Sequence, residues 1–106
     1  MNDSPVALIT GGGSGIGAAV ARQLLAAGHR VTVTGRTERR LRDFAEGLGD
    51  PQELTTVVGD AASYDDIRRA VDRTRTAYGR LDTVVANAGF ATPDSVAAGD
   101  PAGWSE

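Results

Sequence analysis

The stretch Val6-Ala7-Leu8-Ile9-Thr10-Gly11-Gly12-Gly13-Ser14-Gly15-Ile16-Gly17 decides how this chain folds. Its first five residues form a continuous run of the kind found in a strand buried on both faces. The glycines that follow supply a tight turn without any Cβ to obstruct it. Beyond the turn, Ile16, Val20 and Leu24 recur at a spacing of four, and Gly28 suits a helix C-cap. A buried strand, a bare turn and a helix in that order begin a β-α-β unit.

The alternation continues outward. Val31-Thr32-Val33-Thr34 is the next strand, and Thr37 can N-cap a helix with the stripe Leu41, Phe44, Ala45, Leu48, closed by Gly47 and Gly49. After the Asp50-Pro51 turn, Leu54 to Val58 is a third strand. Ser63 with Asp66 resembles a capping box and opens a helix with the stripe Ile67, Val71, Thr74, Tyr78, ended by Gly79. Leu81 to Ala86 is a fourth strand. Strands separated by helices of this length require right-handed crossovers. The expected fold class is α/β, a Rossmann-like doubly wound parallel sheet in three α/β/α layers, with strand order 3-2-1-4 over a single unit, residues 1–106. A ligand crevice then lies at the carboxyl ends of the first and fourth strands, where Thr10 to Gly17 and Asn87 to Gly89 both fall.

Composition narrows the function. The chain has 106 residues, a net charge of −3 and no cysteine, which excludes disulfides, thiolate nucleophiles and cysteine metal sites. All its basic residues are arginine, and a mildly acidic chain lacks the broad positive field of a nucleic-acid binder. No run approaches the ~20 apolar residues of a membrane span, and the first nine residues do not form a signal peptide. The expectation is a cytoplasmic protein that binds neither membrane nor nucleic acid.

The turn from Thr10 to Gly17 places backbone N–H groups and a positive helix end where a phosphate can sit. A nucleoside triphosphate loop would need lysine after Gly17, but Ala18 stands there. The better register is Thr-Gly-x-x-x-Gly-x-Gly on Thr10, Gly11, Gly15 and Gly17, with Gly13, Ser14 and Ile16 inside the same turn. At the end of the second strand an NAD site normally carries an acid, roughly 20 residues past the glycines. Thr34-Gly35-Arg36-Thr37 has none, and Arg36 stands where a guanidinium can pair with a 2′-phosphate. NADP is therefore expected over NAD, although Ser14 occupies a turn position where NADP-preferring relatives often carry a base.

Together these residues resemble the short-chain dehydrogenase/reductase family over residues 4–104. The glycine turn is similar to its Thr-Gly-x-x-x-Gly-x-Gly signature. Asp60, in Val58-Gly59-Asp60-Ala61, matches the family acid that bonds the adenine amino group, which implies Ala61 against the ring. Val85-Ala86-Asn87-Ala88-Gly89 resembles the family's Asn-Asn-Ala-Gly motif, with Ala86 replacing the first Asn. The resemblance implies that Asn87 bonds across to neighbouring strands and that Ala88 and Gly89 pass close to the nicotinamide ribose. It also implies an oxidoreductase acting on a carbonyl/alcohol pair, a small-molecule substrate and a homo-oligomer for the complete enzyme.

The family's catalytic Ser and Tyr-x-x-x-Lys pair cannot be placed. Tyr64 is followed at the required spacing by Arg68 and Tyr78 by Asp82. The expectation is the dinucleotide-binding half of such an enzyme, ending before the catalytic residues and inactive alone. Asp100-Pro101 would begin the helix that follows the fourth strand. A non-catalytic nucleotide-binding or interaction module is the alternative. A sugar-nucleotide epimerase shares the fold but usually carries another glycine spacing. His29 reads as a surface turn residue and Trp104 as a packing residue.

Overall fold

The computed structural model describes residues 4–11 and 15–86. Its elements run β1 (Val6–Thr10), α1 (Gly15–Ala26), β2 (Arg30–Gly35), α2 (Glu38–Gly47), β3 (Leu54–Val58), α3 (Tyr64–Tyr78) and β4 (Thr83–Ala86). All pairings are parallel and the strand order is β3-β2-β1-β4, as the alternation of runs and turns requires. The fourth strand is shorter than expected, starting at Thr83, and at its entry the Asp82 carboxylate accepts from the Val6 amide at 2.8 Å.

Side chains alternate across the sheet as the pleat demands. Ile9, Val31 and Val33 pack with Ala18, Ala21, Leu41 and Phe44, so α1 and α2 cover one face. Leu8 and Val57 pack with Ala70 on the opposite face, under α3. Two helices on one side and the third on the other mean that the winding reverses between β1 and β4. Fully burying a residue such as Leu8 contributes roughly 1.5–3 kcal/mol, and β1 is buried along its whole length.

The inward face of α1 differs from the expected stripe. Ile16 is 74% exposed, while Gly17, Ala18 and Ala21 are buried and Val20 and Leu24 flank them. Small residues let the helix axis approach the sheet closely, and that contact outweighs the pull of one isoleucine. In α2, Thr37 occupies the N-cap with extended backbone (φ −112°, ψ 111°) but its side chain makes no capping hydrogen bond. In α3, Ser63 does cap, accepting from the Asp66 amide at 3.2 Å. Gly79 closes α3 in the left-handed conformation (φ 81°), donating to the Arg75 carbonyl at 2.8 Å. His29 is half-buried rather than a bare surface residue, and its Nδ1 is enclosed without a hydrogen-bond partner among the described residues.

Candidate cofactor site

The carboxyl ends of the strands meet at Thr10, which pairs in register with Thr34 of β2 and Ala86 of β4. Thr10 and Thr34 are both buried. Immediately beyond, Gly11 takes the left-handed conformation (φ 71°) and donates its N–H to the Thr34 hydroxyl at 3.3 Å. The Thr10 hydroxyl reaches the Val85 carbonyl at 3.5 Å, a long contact that nevertheless spans β1 to β4. Gly15 is also left-handed (φ 62°) where it opens α1. At both glycines a residue with a Cβ would be strained. The first turn of α1 contains no acid, so no carboxylate of that turn opposes an anion at its positive end. Ile16 projects from this helix start into solvent and Gly17 faces the sheet. Gly13 and Ser14, also expected to hold phosphate, lie outside the described residues.

The second part of the site sits at the ends of β2 and β3. The Gly59 amide donates 2.8 Å to the Gly35 carbonyl and ties the two strand exits together. Arg36 follows Gly35, exposed and without an ion pair among the described residues. Asp60 follows Gly59 and is half-buried. Its Oδ1 accepts from the Ala62 amide at 2.9 Å and its carbonyl accepts from Ser63 at 2.9 Å. The second carboxylate oxygen of Asp60 has no hydrogen-bond partner among the described residues. Ala61 lies half-buried beside it. Glu38, the acid nearest to Arg36 in the chain, is held by Arg42 at 3.1 Å. Arg36, an Asp60 oxygen without a partner among the described residues, and Gly11 thus share one rim, and their chemistry fits the phosphates and adenine of a dinucleotide. Asn87, Ala88 and Gly89 lie outside the described residues, although Ala86 brings the chain to the same rim beside Thr10.

Neither described tyrosine is placed for chemistry there. Tyr64 opens α3 and is 75% exposed. Tyr78 ends α3 at the opposite end of the sheet, its hydroxyl 2.8 Å from that of Thr55 and 3.2 Å from the Gln52 carbonyl. Burial pushes the Tyr78 hydroxyl pKa up, the reverse of what a proton-transferring tyrosine requires. Among the described residues no group of three histidines or acids could hold a metal, and no helix is long and apolar enough to cross a membrane.

Three residues of this rim were not singled out for it by the sequence: Thr34, Asp66 and Arg69. Asp66 Oδ2 accepts from the Asp60 amide at 2.8 Å, and its Oδ1 pairs with Arg69 at 3.1 Å. The Asp60 amide first, and Arg69 beside it, hold the Asp66 carboxyl below the usual carboxylate range.

Known proteins resemble this chain in sequence and in fold. The profile of the short chain dehydrogenase family matches residues 5–106. An uncharacterized oxidoreductase of Staphylococcus saprophyticus is 33% identical over 101 residues, covering 93% of this chain and 43% of its own. Sulfoacetaldehyde reductase 2 of Chromohalobacter salexigens is 37% identical over 102 residues, covering 95% of this chain and 40% of its own. Among solved structures, an actinorhodin polyketide ketoreductase with NADPH superposes with a TM-score of 0.76 at 38% identity, over 82% of this chain and 34% of that one. A glucose dehydrogenase of Caenorhabditis elegans in its apo form gives 0.75 at 33% identity, over 82% of this chain and 38% of that one. The chain spans about two-fifths of the length of the two relatives named first.

Proposed function

The chain belongs to the short-chain dehydrogenase family, and on that premise we propose that it is the dinucleotide-binding half of an NADP-dependent oxidoreductase acting on a carbonyl/alcohol pair. In this reading Gly11, Gly13, Ser14, Gly15, Ile16 and Gly17 cradle the diphosphate at the start of α1. Arg36 pairs with the 2′-phosphate, Asp60 accepts from the adenine amino group and Ala61 lies against the ring. Asn87, Ala88 and Gly89 line the nicotinamide ribose. Bound there, the cofactor supplies the hydride that the carbonyl substrate receives. The 106 residues contain no lysine, hence no Tyr-x-x-x-Lys pair, and turnover by these residues alone is not expected.

The observation that carries the cofactor preference is Arg36, a guanidinium without an ion pair among the described residues, at the exit of β2 where an NAD site would place an acid. A solved relative that is similar over this region was crystallised with NADPH, which supports the same choice. The test is a pair of titrations with the Arg36→Asp variant. A charge-assisted contact to phosphate is worth roughly 10- to 100-fold in affinity. NADPH should weaken by that factor while NADH changes little. Equal losses for both cofactors would remove Arg36 from the 2′-phosphate.

A further inference from the structure

We propose that Asp66 is a positioning residue for adenine recognition, setting the backbone on which Asp60 presents its free carboxylate oxygen. The inference rests on the reading that Asp60 accepts from the adenine amino group.

Asp66 is the third residue of α3, with Ser63 as N-cap. In a capping box the side chain at this position reaches back to the amide of the cap residue. Here the Ser63 amide is already committed to the Asp60 carbonyl at 2.9 Å. Asp66 instead reaches three residues further and accepts from the Asp60 amide at 2.8 Å. Its other oxygen pairs with Arg69, whose Nη2 donates to the Val58 carbonyl at 2.9 Å. One ion pair therefore grips the peptide groups on both sides of Gly59. Gly59 is tied from the other direction through its amide to Gly35. The closeness of this contact shows in the space at Gly59, where a Cβ would lie 3.1 Å from the Asp66 Cβ.

A helix start needs only a cap, and Ser63 provides it. The departure of Asp66 from the capping pattern puts its carboxylate on the strand exit that carries Asp60. With Asp60 N–H, Oδ1 and C=O all engaged, one oxygen remains, and its direction is fixed by the same set of bonds. Released from Asp66, the Asp60 backbone would be free to turn and the direction of that oxygen would be lost. Hydrogen-bonding sites discriminate through geometry of this kind.

The test compares NADPH with its hypoxanthine analogue, which carries an oxo group in place of the 6-amino group, by titration against the full chain. The unaltered protein should prefer NADPH by roughly 10-fold or more, the scale of one hydrogen bond to a charged acceptor. Asp66→Ala should bring this ratio close to one, and Asp66→Asn, which keeps an acceptor but loses the ion pair, should fall between. Ser63→Ala removes the cap and lowers the melting temperature but should leave the ratio unchanged. The preference for NADPH over NADH should survive in all three variants. If the unaltered protein and Ser63→Ala prefer adenine and both Asp66 variants keep the full ratio, Asp66 is only a helix-start residue. If the unaltered protein does not distinguish the two cofactors, the role of Asp60 falls first and the role of Asp66 with it.

Discussion

The hydroxyl of Thr74 in α3 lies 2.8 Å from the hydroxyl of Thr32 in β2, and neither residue has any exposure to solvent. Thr74 also bonds the Ala70 carbonyl at 2.7 Å, so the pair forms a closed polar link between a helix and the middle of the sheet. It lies on the α3 side, where the apolar core is the smaller of the two. A polar link here specifies which turn of α3 meets β2.

That link predicts a non-additive pair of substitutions. Thr74→Val leaves the Thr32 hydroxyl buried without its partner and should cost about 1–3 kcal/mol. Thr32→Val together with Thr74→Val replaces both groups by apolar ones of the same shape and should recover most of the loss. Urea melts of the two single variants and the double variant measure the coupling. Additive losses would mean that the two hydroxyls act independently.

The amino end of the sheet carries a second clamp, and it depends on pH. Asp82 Oδ2 accepts from the Val6 amide at 2.8 Å, and the Asp82 amide returns a bond to the Val6 carbonyl at 2.9 Å. Arg80 grips the same carboxylate through both of its oxygens at 3.0 and 2.9 Å. Arg80 first, then the Val6 amide, lower the Asp82 pKa below its ordinary 3.8, with a smaller contribution from His29. A lowered folded-state pKa contributes stability that is complete above 3.8 and is lost as pH falls through the lowered value. Asp82→Asn should therefore lower the melting temperature at pH 6, and the gap to the unaltered protein should close below that range. A gap independent of pH would assign the effect to packing instead.

Much of this architecture was legible in the sequence because it is written in apolar residues. The runs at Val6 to Thr10, Val31 to Thr34 and Leu54 to Val58, separated by helical periods, lead to the parallel order β3-β2-β1-β4, with the second strand one residue longer at each end in the structure. The face of α1 was not legible in the same way. Reading by hydrophobicity finds Val20 and Leu24, which do pack against the core, but it also favours the exposed Ile16 and misses Gly17, Ala18 and Ala21, whose small size lets them be buried. The glycine turn and Arg36 stand out because their types are unusual at their positions. Thr34, Asp66 and Arg69 do not, because each acts through a bond to a backbone group that only folding brings near.

Thr34 offers a test of that hidden layer. Its hydroxyl accepts the Gly11 amide at the point where the chain leaves β1. Thr34→Val keeps the shape and the burial but removes the acceptor. Stability should fall by about 1 kcal/mol, the usual worth of such a bond. If Gly11 contacts the diphosphate as proposed, NADPH binding should weaken several-fold, because Gly11 loses the anchor of its amide. Calorimetric titration beside a thermal melt separates the two effects. Unchanged affinity with a lowered melting temperature would confine Thr34 to the fold.

Tyr78 should show the opposite separation, stability without binding. Its hydroxyl bonds Thr55 and Gln52 at the entry to β3, and Arg30 lies over its ring at 5.8 Å. Tyr78→Phe keeps the ring and its cation contact, and should cost about 1 kcal/mol through the lost hydroxyl bonds. Burial raises the folded-state pKa of this hydroxyl above 10.0, so its contribution is complete below that value and is lost as pH rises through the raised one. Melts above pH 10 should accordingly bring the variant and the unaltered protein together. NADPH affinity at neutral pH should not change, because the hydroxyl sits at the end of the sheet away from Gly11 and Arg36. A loss of affinity in Tyr78→Phe as large as that in Arg36→Asp would contradict the proposed placement of the cofactor at the carboxyl ends of the strands.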